Sequence, residues 1–294
     1  MASMIGSKVE RKEDKKFLTG KGRYTADITL HNQSYAVFIR SPHARAKIKG
    51  IDTDKAKKAS GVIDVLTGKD LADDKIGGLI AGWKIVSKDG TDMKCPAHPA
   101  LATDTVNYVG DHVALVIAES LQEAKDAADL VNVDYKVLKA VANTGDAMNA
   151  EAIHEGIDKN LCFDWELGDK AKVDEAFSSA DKVIEMDIVN NRLVPNAMEP
   201  RASIGDYNSS SDELTLYTTS QNPHLSRLVM SAFNALHPEH KFRIVAPDVG
   251  GGFGSKIYPY SEDVVIAWAA KRLQRPVKWV CERTESFLSD CHGR

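Results

Sequence analysis

Cysteine is scarce in this chain. Only four occur in 294 residues, Cys95, Cys162, Cys281 and Cys291, with no C-x-x-C pair among them. Such scatter excludes a disulfide framework, and equally a zinc or iron–sulfur cage built by this sequence. Long apolar runs are missing as well, since no stretch approaches the roughly 20 residues that cross a bilayer as a helix. The opening residues Met1 to Lys16 are charged and lack the apolar core of a secretory signal, which makes the cytoplasm the expected compartment. An excess of positive charge is absent too: the net charge of −4 argues against a nucleic-acid binder.

What is present is ordinary for a globular protein. Hydrophobic residues make up 43% and charged residues 27%, and the length leaves room for about two domains with ample core. Residues 1–16 read as a polar lead-in. Short strands and turns follow: Ser34–Arg40, with Tyr35, Val37 and Ile39 on one face, and Val62–Leu66, separated by a short helix from Asp54 to Ala59. The Gly-, Asp- and Lys-rich segment from Asp73 to Pro99 reads as a long loop. Thr105 to Ala118 holds two strands around Gly110-Asp111. Ser120 then caps a helix through Leu130 whose apolar side is Leu121, Ala124, Ala127, Ala128 and Leu130, and Val131–Tyr135 is one more strand.

These elements predict an α+β unit over 17–140, a linker over 141–170 rich in Asn, Gly, Asp and Lys, and a second, mixed α/β unit over 171–294. In that second unit the pattern predicts a short helix from Lys172 to Ser178 and a long strand from Asp181 to Val189, with Ile184, Met186 and Ile188 on one side. Glu213–Thr219 is a strand running into Ser220-Gln-Asn-Pro-His224. The helix after it carries a stripe of Leu225, Leu228, Val229, Ala232, Phe233 and Leu236. Among the nine histidines, His237 and His240 form one close pair with no third ligand nearby, and they read as a solvated loop.

The most informative stretch is Lys241-Phe-Arg-Ile-Val-Ala-Pro-Asp-Val-Gly-Gly-Gly-Phe-Gly-Ser-Lys256. A strand closes at Pro247-Asp248, a helix of apolar density runs from Ser261 to Arg272, and Gly250, Gly251, Gly252, Phe253 and Gly254 lie between. Four glycines in five positions point to unusual backbone dihedrals or to a group lying against the main chain. Bare N–H groups in succession suit an anion or a polarised oxygen, and a plain tight turn is the competing reading. The spacing is not the G-x-G-x-x-G of a dinucleotide fold. Gln221, just past another strand and at the start of another helix, occupies the same kind of junction, so the two could face one cleft. Glu199, between Met198 and Pro200, reads equally as a surface carboxylate in a turn.

Three ordered blocks now carry a resemblance. The first joins Leu18-Thr-Gly-Lys-Gly-Arg-Tyr-Thr-Ala-Asp27, Arg40-Ser-Pro-His-Ala44 and Tyr108-Val-Gly-Asp-His-Val-Ala114. The second joins Met198-Glu-Pro-Arg201 and Thr218-Thr-Ser-Gln-Asn-Pro-His224. The third runs from Asp248-Val-Gly-Gly-Gly-Phe-Gly-Ser-Lys256 through Pro276-Val-Lys-Trp279 and Arg283-Thr-Glu-Ser-Phe-Leu288 to His292-Gly-Arg294. Together they resemble the N-terminal portion of the large, molybdenum-carrying subunit of the molybdenum hydroxylases, the family of aerobic carbon monoxide dehydrogenase, xanthine dehydrogenase and aldehyde oxidase.

The resemblance implies an α/β hammerhead domain followed by the first part of a molybdopterin-binding domain. It implies that the Gln221 side-chain amide donates to an oxo ligand of molybdenum, and that the N–H groups around Gly251, Gly252, Phe253 and Gly254 meet that oxo group and the pterin. Glu199 is implied to stand near the substrate channel. The cofactor implied is molybdenum with molybdopterin cytosine dinucleotide, with iron–sulfur clusters and FAD on small and medium partner subunits. The implied reaction oxidises carbon monoxide, an aldehyde or a heterocycle with water as the oxygen source. No residue here matches the family's general-base glutamate, none ligates the metal directly, and the C-terminal remainder of the large subunit is expected as a further partner, so the chain alone is expected to be inactive. Two other readings stand beside this one: a module that binds a nucleotide or phosphate on the glycine loop, and a module that only packs against partner subunits.

Overall fold

The computed structural model describes residues 5–191 and 193–291, so Arg192 and the His292-Gly-Arg294 block lie outside the described residues. In chain order the elements are α1 (Asp14–Leu18), β1 (Ser34–Arg40), β2 (Ala46–Asp52), α2 (Asp54–Lys57), β3 (Val62–Thr67), α3 (Gly68–Asp73), β4 (Thr105–Val106), β5 (His112–Ala118), α4 (Leu121–Ala128) and β6 (Asn132–Val137). They continue as α5 (Lys170–Ser179), β7 (Ala202–Asn208), β8 (Glu213–Thr218), α6 (Pro223–Ala232), β9 (Phe242–Val245), α7 (Ser261–Leu273), β10 (Val277–Val280) and α8 (Arg283–Ser289).

A mixed seven-stranded sheet in the order β3-β5-β1-β10-β7-β8-β9 forms the frame, and a second hydrogen-bonded sheet, β4-β2-β6, packs against it. β10 pairs in parallel with β1, Ser34 opposite Val277, and antiparallel with β7, Val277 opposite Gly205. One late strand thereby joins the first third of the chain to the last. Its residues alternate as a strand should, but four positions are too few to stand out from Pro276-Val-Lys-Trp279 alone. Lys278 is buried with them because its Nζ donates to the carbonyls of Ala26 and Ile28, at 2.6 and 2.9 Å.

β5 is buried at every position. Leu115 and Ile117 share a core with α7, while Val113 packs with Ala46, Ala102 and Val106, and Val116 with Ala56, Val65 and Ala127. A strand covered on both faces reads as a continuous apolar run, which is what Val113–Ala118 shows. The same holds for β1, where Ala36 and Phe38 enter the α7 core and Ile39 packs on the opposite side. Helix α7 is apolar nearly all round, with Val264 to Ala270 buried, and such a helix must be enclosed. β7 and β10 lie against it. Leu71, Leu79, Ala100 and Leu101 belong to the same apolar cluster, and Asp74 accepts from Trp268 Nε1 at 2.8 Å.

Several expectations need correction. Asp181 to Val189 forms no strand with any described residue, and Val183, Ile184, Met186, Ile188 and Val189 are all exposed. Alternation creates two faces, but only a hydrogen-bonded neighbour and a covered face make a strand. Of the apolar stripe assigned to α6 only Leu236, just past the helix end, is fully buried. Ser226 and Met230 point inward, whereas Leu228 and Phe233 are exposed. On α4, Ser120 does cap the helix by accepting from Glu123 N, but Leu121 and Leu130 stay half in solvent and only Ala124 and Ala127 are buried. His237 is buried, its Nε2 2.9 Å from the Asp212 carbonyl, while His240 is exposed. The helix expected from Ser261 does begin there, as α7, with residues 255–260 between it and the last glycine of the run.

Candidate functional site

β8 ends at Thr218 and β9 at Val245, and the two strands are parallel neighbours. Their C-terminal ends therefore emerge side by side. The segment after β8 delivers Gln221 and the segment after β9 delivers the glycine loop, which is why residues 30 positions apart meet. Gln221 and the loop are in direct contact. The Gln221 Oε1 accepts from the amides of Gly254 and Lys256, both at 3.1 Å, and the Gln221 amide donates to the Lys256 carbonyl at 2.7 Å.

Those bonds decide what Gln221 can offer. With its oxygen committed to two main-chain donors, the remaining polar atom of the carboxamide is Nε2, which can only donate. Gly252 is packed against this side chain: a Cβ there would lie 2.4 Å from Gln221 Cδ. Gly251 adopts φ +96°, a conformation that glycine takes without steric cost. Phe253, also left-handed at φ +51°, is 74% exposed, and its ring edge lies over Gly251, where a Cβ would meet Cε2 at 2.7 Å.

The loop's amides are thus divided. Gly250, Gly254 and Lys256 donate to side chains, and Ser255 donates to the Gly252 carbonyl. Among the described residues no hydrogen bond engages the amides of Gly251, Gly252 or Phe253. These three and Gln221 Nε2 are the donors of the junction without a hydrogen bond among the described residues. Gln221, Gly251, Gly252, Phe253 and Gly254 are therefore brought together, although one of the expected donors, Gly254 N, is already occupied within the protein.

Glu199 lies against the entry of the loop. Its Oε2 accepts from Gly250 N at 2.7 Å and from Lys256 Nζ at 3.1 Å, and Lys256 Nζ also donates to the Glu199 carbonyl at 2.8 Å. The Glu199 side chain is 10% exposed and that of Lys256 1%. Burial pushes the Lys256 ammonium below its ordinary value, against the pull of Glu199. The residues before Glu199 are held from α8, where Arg283 donates to the carbonyls of Ala197 and Met198 at 2.8 and 3.0 Å.

A second constellation escaped the sequence reading. Glu262, wholly buried in the first turn of α7, binds Arg201 through both carboxylate oxygens at 2.9 Å, Arg40 at 2.8 Å and His112 at 3.0 Å. Arg40 also reaches Glu285, and Arg201 reaches Asp290. Sequence alone shows Glu262 as an acidic residue at a helix start, where the dipole would favour it on the surface. Its partners come from β1, β5 and the residue just before β7, and no local signal links them. Five clefts of about 420 to 760 Å³ lie elsewhere on the described surface, and none is lined by Gln221 or the glycine loop.

Comparison with known proteins bears on this geometry. Residues 153–294 match the molybdopterin cofactor-binding domain, and residues 19–139 match the aldehyde oxidase and xanthine dehydrogenase a/b hammerhead domain. The chain is 35% identical to the nicotine 6-hydroxylase large subunit of Paenarthrobacter nicotinovorans, an alignment covering 99% of this chain and 35% of that protein. It is 37% identical to the carbon monoxide dehydrogenase large chain of Afipia carboxidovorans, over 98% of this chain and 36% of that one. Among solved structures, quinoline 2-oxidoreductase from Pseudomonas putida 86 superposes with a TM-score of 0.89 at 33% identity, covering 98% of this chain and 36% of its own. The Cu,Mo-CO dehydrogenase superposes with a TM-score of 0.87 at 34% identity, covering 98% and 37%. The chain spans about a third of the length of these relatives.

Proposed function

This chain belongs to the xanthine dehydrogenase, aldehyde oxidase and carbon monoxide dehydrogenase family of molybdenum-hydroxylase large subunits, and from that premise we propose that it supplies one wall of the cofactor site in a larger oxidoreductase. The observation that carries this reading is the meeting of Gln221 with the glycine loop. Gln221 presents Nε2 because its oxygen is bound to the amides of Gly254 and Lys256, and the amides of Gly251, Gly252 and Phe253 stand free beside it.

Those residues fit a molybdopterin group. Such a cofactor is rich in anionic and carbonyl-like oxygens, which need donors, and a nearby acceptor would repel them. The one carboxylate close to the loop, Glu199, is turned beneath it and neutralised by Lys256. Gly252 leaves room for Gln221 against the main chain, and Gly251 supplies the bend that exposes successive N–H groups. When bound, the cofactor supplies two-electron redox chemistry, with water as the source of the oxygen added to substrate. The residues of this chain bind and orient it. Their hydrogen bonds are preformed, so they need little reorganisation during reaction.

The form of the cofactor we infer is the cytosine dinucleotide. The partners are the remainder of the large subunit, an FAD-binding medium subunit and an iron–sulfur small subunit, because this chain offers no cysteine cluster for the electron carriers. Carbon monoxide, an aldehyde or a heterocycle is the substrate class, and the cytoplasm the compartment. No helix among the described residues is long and apolar enough to cross a membrane. The chain alone is inactive, since its site residues bind and none is a base. The test is Gln221→Ala in the complete large subunit assembled with its partners, reading turnover and molybdenum and pterin content. A lowered turnover with the fold retained is expected; unchanged turnover removes Gln221 from the site.

A further inference from the structure

The glycine loop has almost no side chains with which to hold its own shape, so the shape must be imposed at its ends. At the entry, Gly250 N donates to Glu199 Oε2 at 2.7 Å. At the exit, Gly254 N and Lys256 N donate to Gln221 Oε1 at 3.1 Å each. Lys256 is the residue common to both clamps. Its Nζ binds the carbonyl and Oε2 of Glu199, its amide binds the side chain of Gln221, and its carbonyl accepts from the Gln221 amide. A buried ion pair is an inefficient source of stability, because desolvation offsets much of the attraction. Direction is what it supplies here, since one ammonium is fixed by two oxygens of a single residue.

We propose that Lys256, tied to Glu199, is a positioning residue that aims the Gln221 carboxamide and sets the free amides of Gly251, Gly252 and Phe253 outward. What those groups meet rests on the cofactor reading above; the positioning itself does not. Without the Lys256 charge, Glu199 has no cation to hold it under Gly250, the exit turn loosens, and Gln221 loses both acceptor bonds together. The clamp acts on the binding surface without touching the bound group.

The test uses the full 294-residue chain without cofactor. Amide hydrogen exchange and the Gln221 side-chain amide signals are read by NMR in wild type, in Lys256→Met and in the double variant Glu199→Gln/Lys256→Met. In both variants Gly254 and Lys256 amides are expected to exchange at least about tenfold faster while β7 and α7 amides keep their wild-type rates, the signature of local and not global opening. The Gln221 side-chain signals are expected to move in parallel. Wild-type exchange at Gly254 and Lys256 in the double variant, or a loss of protection equal in β7 and the loop, overturns the proposal. Should Lys256→Met not fold because it leaves Glu199 unpaired, the double variant has no unpaired buried charge and decides the matter alone. A positive result here with an unaffected Gln221→Ala enzyme would keep the clamp and remove the cofactor reading.

Discussion

Arg201 and Glu262 form a bidentate pair, both bonds at 2.9 Å, with the Arg201 guanidinium centred 3.7 Å above the Tyr260 ring. Arg201 follows Glu199 by two residues and precedes β7, whereas Glu262 lies in α7. The pair therefore fixes the segment that carries Glu199 against the central helix. Arg40 and His112 bind the same carboxylate from β1 and β5, so both halves of the chain are pinned at one point.

Removing that carboxylate charge should be costly. Glu262→Gln keeps the shape but takes one of two anionic partners from each of Arg40 and Arg201, which keep Glu285 and Asp290, and a loss of about 2 to 3 kcal/mol is expected. Urea unfolding of the purified chain measures it. A change below about 1 kcal/mol would show that the hub does not organise the fold.

The same hub predicts how stability depends on pH. Burial pushes the His112 imidazole below its ordinary 6.5 despite the pull of Glu262. For Glu262, burial opposes ionisation, but Arg201, His112 and Arg40 outweigh it and hold the carboxyl well below its usual 4.5. Both folded values are depressed, so both groups contribute stability that is present at higher pH and lost on acidification. The unfolded chain takes up a proton at His112 from pH about 6.5 downward and at Glu262 from about 4.5, while the folded chain resists. Each proton steepens the slope toward about 1.4 kcal/mol per pH unit. Unfolding midpoints measured from pH 8 to 5 should fall on the acid side, and a flat profile would contradict a neutral buried His112.

Gly252→Ala tests the close approach in the loop. The new Cβ would stand 2.4 Å from Gln221 Cδ and Oε1, and the exposed glutamine is free to swing away. The expected stability loss is therefore small, about 1 kcal/mol or less, roughly the value of the two solvent-competed hydrogen bonds it surrenders. The Gln221 side-chain signals should shift and the Gly254 amide should lose protection. If neither moves, the carboxamide is not seated on Gly252.

Ser120→Ala removes the side-chain acceptor for Glu123 N at the start of α4. A loss of about 1 kcal/mol is expected, in line with other helix caps. Thermal unfolding checks it, and an effect near zero would mean that Ala124 and Ala127, buried against the sheet, hold the helix without the cap.

Local elements were legible wherever one stretch carried the whole signal. β1 and β5 showed through dense apolar residues, α4 through its cap, and the turn after β9 through Pro247 and four glycines. The proximity of Gln221 to the loop was legible too, because both follow strands and ligands gather at strand ends. The strand expected from Asp181 to Val189 was not, since its pattern is genuine but no described neighbour completes it. The stripe on α6 misled for a related reason: periodicity identifies a helix, while the neighbours choose the face that is buried.

By itself the sequence determined β1, β3, β5, β8, α4, α7, the glycine loop and the family blocks, all of which depend on spacing within a few residues. Only the tertiary structure decided that the oxygen of Gln221 is consumed by the loop, that Lys256 and Glu199 lie beneath it, and that Glu262 gathers Arg40, His112 and Arg201. Those contacts join residues 33 to 222 positions apart. Their energy comes from burial and directed hydrogen bonds that exist only once the sheet has brought the segments together.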